Sequence, residues 1–265
     1  MTPTTPEDPD DPSRMPLRDH LEELRSTLLR SFVALVILFA GGMALKDRLI
    51  RFVLVPWDRA RESILLGGGQ DPGVLSMIKP HEAFVFSLKV ALAFALVVGA
   101  PYYLRLLWSF VVAGLMPNEK RAFWKAFPVS VVLFLGGMAF GYLILVPVGL
   151  DFLLTSVSPE LIDPQVTVSE YFSLLLALTL LMGGVFLLPL FMWAGVRTGL
   201  VELETLSGSR RIAVVLMLIF ASIMTPPDVV TQLLVAGPMM LLYEVGLMLA
   251  RAASRARNRE VSRGA

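Results

Sequence analysis

The chain has 265 residues, 55% of them hydrophobic and 17% charged, with a mean hydropathy of +0.70; soluble domains carry about 25% charged residues, so the composition excludes a soluble globular domain and points to membrane spans. With 23 Lys and Arg against 22 Asp and Glu, the net charge of +1 offers no electrostatic footprint for nucleic acid. No cysteine, two histidines and no G-x-x-x-x-G-K-[ST] phosphate loop leave no thiol nucleophile, metal centre or nucleotide site to assign, so no catalytic residue, metal or cofactor is expected.

In chain order, residues 1–14 (MTPTTPEDPDDPSR) are acidic and Pro-rich and read as a disordered tail. Met15–Arg25 is amphipathic: Leu17, Leu21, Leu24 and Leu28 share one helical face, while Asp19, Glu22, Glu23 and Arg25 occupy the others. A span needs roughly 20 apolar residues, and six segments qualify as candidates: Leu28–Leu45, Ala83–Leu104, Phe123–Pro147, Tyr171–Val196, Ile212–Met224 and Val229–Ala250. The first connection is long, carries Lys46, Arg48, Arg51, Arg59, Arg61 and Lys79 beside Asp47, Asp58, Glu62 and Asp71, and is expected to form a small amphipathic cap. Lys89 lies inside the second span, where a central charge costs about 2.5–3.5 kcal/mol on insertion scales; it is expected to face protein or snorkel.

The second connection, Trp108–Arg121, holds a single carboxylate, Glu119, amid aromatic and basic neighbours; taken alone it is either a solvated partner of Lys120 or Arg121, or a recognition group. Gly137-Met-Ala-Phe-Gly141 is a spacing that lets helices approach closely. Pro101, Pro147 and Pro189 read as kinks. The fifth span has about 20 Å of helix before Pro226-Pro227 stops it, so it is either re-entrant or set in a thinned bilayer. Around that stop, Ser222, Thr225, Asp228, Thr231 and Gln232 place polar groups near membrane depth. They serve as helix capping or as a docking surface for another membrane helix.

Sixteen basic residues fall on the side of the two termini and six on the other, so both termini are expected in the cytoplasm. The expected organisation is an all-α membrane protein: a cytoplasmic tail over 1–14, a six-span domain over 15–250, and a basic cytoplasmic tail over 251–265.

Three motifs carry a resemblance: His20-Leu-Glu-Glu-Leu-Arg25 before the first span, the F-x-x-x-G-L-x-x-x-E-K-R pattern of Phe110–Arg121, and T-P-P-D-x-x-T-Q of Thr225–Gln232. Over residues 15–250 the chain resembles the TatC family, receptor subunits of the twin-arginine protein translocase. The resemblance implies a concave, glove-like bundle with short fifth and sixth spans, in the prokaryotic cytoplasmic membrane. It implies binding of Arg-Arg signal peptides and export of folded cargo, driven by the proton-motive force, in an oligomeric complex with TatA/TatB-type single-span partners. The matching signal-peptide positions are Leu17, His20, Glu23, Arg25, Phe110 and Glu119; Arg25 either orients Glu23 or holds the span at the interface. The partner-helix cluster is Ser222, Thr225, Asp228 and Gln232, and Pro56 matches a proline that supports the cap. Two departures stand out: Phe186-Leu187-Leu188 precedes Pro189 where many members carry an intramembrane acid, and Ala113 replaces a proline before Gly114-Leu115. A secondary transporter for a small solute is the rival reading, resting on the short span and proline-broken helices. An intramembrane hydrolase has only His81-Glu82, which does not extend to an H-E-x-x-H pair.

Overall fold

The computed structural model describes residues 17–113, 117–156, 166–224 and 229–264, all helix or connecting turn apart from one isolated bridge between Ser76 and Thr167. The helices are α1 (Leu17–Ala44), α2 (Lys46–Leu66), α3 (Glu82–Ala113), α4 (Pro117–Phe140), α5 (Val146–Thr155), α6 (Val168–Val185), α7 (Leu188–Arg197), α8 (Leu203–Gly208), α9 (Arg210–Met224) and α10 (Val229–Gly264). The expected tail over residues 1–14 lies outside the described residues.

Among the described residues, five stretches are long and apolar enough to cross a membrane: Arg25–Ala44, Glu82–Ser109, Phe123–Thr155, Val168–Arg197 and Val229–Arg255. They match five of the six expected spans. The remaining one is α9, whose 15 residues reach about 22 Å, so the fifth is short as expected. The sixth is not: α10 runs 36 residues without a break, because Leu, Met and Ala carry its apolar face to Ala253 and the Arg-rich continuation is itself a good helix former. The third span also outruns its expected end at Pro147. Pro147 sits in the first turn of α5, where its missing N–H is tolerated, and a wider π-helical turn over Gly141–Leu145 absorbs the misfit. Pro189 likewise enters the first turn of α7, after a break at Phe186-Leu187.

The largest core cluster joins α2, α5, α6, α9 and α10. Trp57 of α2, Tyr142, Tyr171, Leu175 and Met182 pack with Met217 of α9 and Val235 and Met239 of α10. The opposite faces carry Phe32, Ile37, Val132, Ile212, Ile223, Leu241 and Met248 outward. On a water-soluble protein these would form an outsized apolar patch; here they are the lipid face.

Glycines set the close helix approaches, the tightest at Gly137 of α4, where a Cβ would run into the Met182 carbonyl oxygen of α6. A Cβ on Gly42 of α1 would stand 2.9 Å from the Ala91 carbonyl oxygen of α3, and one on Gly141 would stand 2.9 Å from the Leu178 carbonyl oxygen of α6. Because backbone cannot yield as a flexible side chain does, Gly42→Leu is expected to cost about 1–3 kcal/mol through overpacking. A lowered melting temperature in detergent, with α1 exchanging amide hydrogen faster, is the outcome to look for.

Candidate functional site

The α1–α3 packing determines which loops share an end of the bundle. Gly42, near the end of α1, packs against Ala91, toward the start of α3, and the extensive contact between the two helices requires them to run antiparallel from that point. Equal rise along both then brings Arg25, 17 residues before Gly42, level with Trp108, 17 residues after Ala91. The same register sets the first turns of α1, with Leu17, His20 and Glu23, beside or beyond the last turn of α3. Phe110 lies in the last turn of α3 and Glu119 is the third residue of α4. Arg25 is exposed; the side chains of Leu17, His20, Glu23, Phe110 and Glu119 fall outside those described.

Local chemistry suits a carboxylate at position 119. Pro117 opens α4 at the position where a missing N–H costs nothing, and a carboxylate in the first turn complements the helix dipole. The α3–α4 corner is pinned by an aromatic cluster. The buried Trp108 donates its indole N–H to Ser130 Oγ at 2.8 Å and meets Phe123 edge-on at 5.6 Å, and Phe123 in turn lies 5.4 Å from Trp193. Ser130 closes the network on the Phe127 carbonyl at 2.6 Å. Sequence reasoning missed Ser130, since a lone serine in an apolar run carries no signal of its partner 22 residues away.

At the other end, Pro56 sits inside α2, fully buried. A proline has no N–H to offer the carbonyl four residues back, which is Phe52. That carbonyl accepts instead from the Tyr142 hydroxyl, and the neighbouring Val53 carbonyl accepts from the Tyr171 hydroxyl, with the Trp57 backbone N–H beside the same group. Phe52 also stacks on Tyr142 at 4.7 Å, and Trp57 meets Tyr171 edge-on at 5.8 Å. The proline thus opens the α2 ladder at Phe52, where Tyr142 fills it, and Tyr171 adds a second donor at the next carbonyl. Nothing in the sequence around either tyrosine marks this role.

Glu82, 7% exposed, accepts from the amides of Ile78 at 3.0 Å, Ser169 at 3.3 Å and Lys79 at 3.4 Å. It is a structural pin between the strap entering α3 and the start of α6, not the acid of a hydrolase. Farther out, Arg61 donates from Nε and Nη2 to the two carboxylate oxygens of Asp71, and Asp71 also accepts from the Gly73 amide at 2.9 Å. The Arg61 contact, aided by that amide, holds the Asp71 carboxyl below the usual carboxylate range. A depressed folded value gives order that is complete above the unfolded value of about 3.9 and is lost as pH falls through the lower folded value. Protection of the Gly73 amide is therefore expected to persist from pH 8 to pH 5 and to fall away below about pH 4. Hydrogen exchange corrected for its intrinsic rate measures this, and Asp71→Asn should remove the protection at every pH.

Of the polar cluster at the α9–α10 junction, Thr225 and Asp228 lie outside the described residues. Ser222 is exposed and Thr231 is buried. Gln232 turns inward: its side-chain amide donates to the Leu218 carbonyl of α9 at 2.9 Å. At the far end of the same helix pair, Arg210 and Glu244 pair at 3.3 Å and the Tyr243 hydroxyl donates to the Leu206 carbonyl at 2.6 Å. Next to Pro189, Leu187 is buried and apolar, so the fourth span presents no acid there.

Comparison with known proteins places this arrangement. The profile of the family described as Sec-independent protein translocase protein (TatC) matches residues 19–238. The TatC protein of Desulforapulum autotrophicum is 35% identical over 238 residues, covering 90% of this chain and 85% of that protein. TatCy of Bacillus subtilis is 32% identical over 95% of this chain and 97% of its own. A crystal structure of the twin-arginine translocase receptor TatC superposes with a TM-score of 0.75 at 29% identity, covering 89% of this chain and 99% of that one. The chain belongs to the TatC family and is a non-enzymatic core subunit of the Sec-independent translocase in the prokaryotic inner membrane.

Proposed function

We propose that this subunit is the receptor for Arg-Arg signal peptides, and that it reads the arginine pair with Glu119, seconded by Glu23, between the start of α1 and the α3–α4 connection. The observation that carries the reading is the antiparallel register, which brings two segments about 90 residues apart in sequence to one end of the bundle. The chemistry suits this role, since carboxylates take bidentate, charge-assisted bonds from a guanidinium fork, whereas a lysine offers only a point charge. Leu17, His20 and Phe110 flank the carboxylates, and Arg25 orients Glu23 or anchors the span. Both termini and this end face the cytoplasm, as the distribution of basic residues favours.

The polar groups Ser222, Thr225, Asp228 and Gln232 are proposed as the seat of a TatA/TatB-type partner helix, with Gln232 already fixed by α9. Because the chain has no cysteine, single-cysteine labelling tests the receptor reading cleanly. A photo-reactive label on Leu17→Cys and, separately, on Phe110→Cys is expected to cross-link a signal peptide within a few residues of its arginine pair from both positions. Cross-linking from neither position, or to random points along the peptide, would refute the shared site.

A further inference from the structure

Lys89 stands seven residues inside the apolar stretch that starts at Glu82, about 10 Å along the helix. Its side chain is exposed, so it does not face protein, and among the described residues no carboxylate pairs with it. Its neighbours at helical spacing, Val85, Phe86, Leu92 and Ala93, are all apolar. A cation left on the lipid face at this depth is costly unless it meets an anion. Lysine relieves the cost by extending its ammonium toward the headgroups while its stem stays in hydrocarbon.

One turn below Lys89, Ala93 lines a groove of about 450 Å³ between α2, α3, α4 and α6, together with Phe52, Val90, Met138, Leu176 and Thr179. Tyr142 also lines it, but its hydroxyl is engaged by the Phe52 carbonyl. Thr179 has an unpartnered hydroxyl and is 8% exposed; a helical threonine can turn that group back to the carbonyl one turn earlier, so it does not demand a polar occupant. The groove is of the order of one acyl chain in volume.

We propose that Lys89 and this groove bind an anionic phospholipid of the cap-side leaflet, its phosphate on the ammonium and one acyl chain along Val90, Ala93 and Met138. Cation and apolar slot lie in the order in which a phospholipid presents phosphate and chain, and a lipid headgroup is the anion that a snorkelling lysine meets.

The test is native mass spectrometry of the full chain in detergent with equal amounts of phosphatidylglycerol and phosphatidylcholine of identical chains. Wild type is expected to retain phosphatidylglycerol about fivefold over phosphatidylcholine, the factor that one lysine–headgroup attraction supplies. Lys89→Met should erase the preference, Lys89→Arg should keep it, and Ala93→Trp should lower retention of both lipids by filling the slot. Equal retention by wild type, or a preference that survives Lys89→Met, would overturn the site. Thr179→Val is expected to leave retention unchanged. If it abolishes binding, the groove belongs to a polar occupant such as a partner helix, and the lipid assignment fails.

Discussion

Glu119→Gln is expected to weaken binding of an Arg-Arg signal peptide by about tenfold to a hundredfold, the weight of a charged hydrogen-bonding partner worth roughly 1.5–3 kcal/mol. The substitution keeps the size and helix propensity of the side chain in the first turn of α4 and removes only its charge and its second equivalent oxygen. Binding of a Lys-Lys peptide should fall much less, because a point charge makes no fork-to-fork pair to lose. Glu119→Asp should retain part of the preference, and Glu23→Gln should show a smaller loss. The structural control lies in the corner beneath: Ser130→Ala would leave the Trp108 indole N–H without its acceptor. It should cost about 1–3 kcal/mol of stability and reduce binding of both peptides alike, since it disturbs the platform and not the reader.

The second large effect is expected at the cap. Tyr142→Phe strips the hydroxyl from the Phe52 carbonyl, which Pro56 leaves without a helical donor, and an acceptor left unmet costs about 1–3 kcal/mol; Tyr171→Phe removes a second donor from the Val53 carbonyl and should cost less. The double variant should loosen α2, shown by faster proteolysis within Lys46–Leu66 and a lower unfolding temperature. Pro56 offers a sharper test. Pro56→Ala restores an amide that can bond to the Phe52 carbonyl, so it should be destabilising alone yet less so when combined with Tyr142→Phe, a non-additive pair. Combined with Tyr171→Phe, which serves a different carbonyl, it should add normally. Additivity in both pairs would mean that the proline acts only by packing.

Much of the fold is legible in the amino-acid order. Long apolar runs define spans by the thickness of hydrocarbon alone, and the mixed charge of Lys46–Leu66 with buried Trp57, Ala60 and Ile64 is an amphipathic helix by pattern and by packing. The short α9 follows from Pro226-Pro227. What escapes a sequence reading are interactions whose two halves are remote: Tyr142 with Phe52 is separated by 90 residues, Tyr171 with Val53 by 118, and neither tyrosine differs locally from any other aromatic in a span. The length of α10 escapes as well, because a basic run after an apolar one ends a membrane span without ending a helix. Lys89 is visible as an anomaly, but its outward direction depends on which faces of α3 the bundle covers. At the site itself, the motifs around His20 and Glu119 stand out as patterns. Their proposed convergence on one end rests on the close approach of Gly42 to Ala91.

The claim that this subunit reads an arginine pair is tested most directly by binding of labelled signal peptides to the purified wild-type protein in lipid nanodiscs, comparing Arg-Arg with Lys-Lys versions of one sequence. Binding of the Arg-Arg peptide is expected to be at least about tenfold tighter. Equal affinity for the two would contradict the claim.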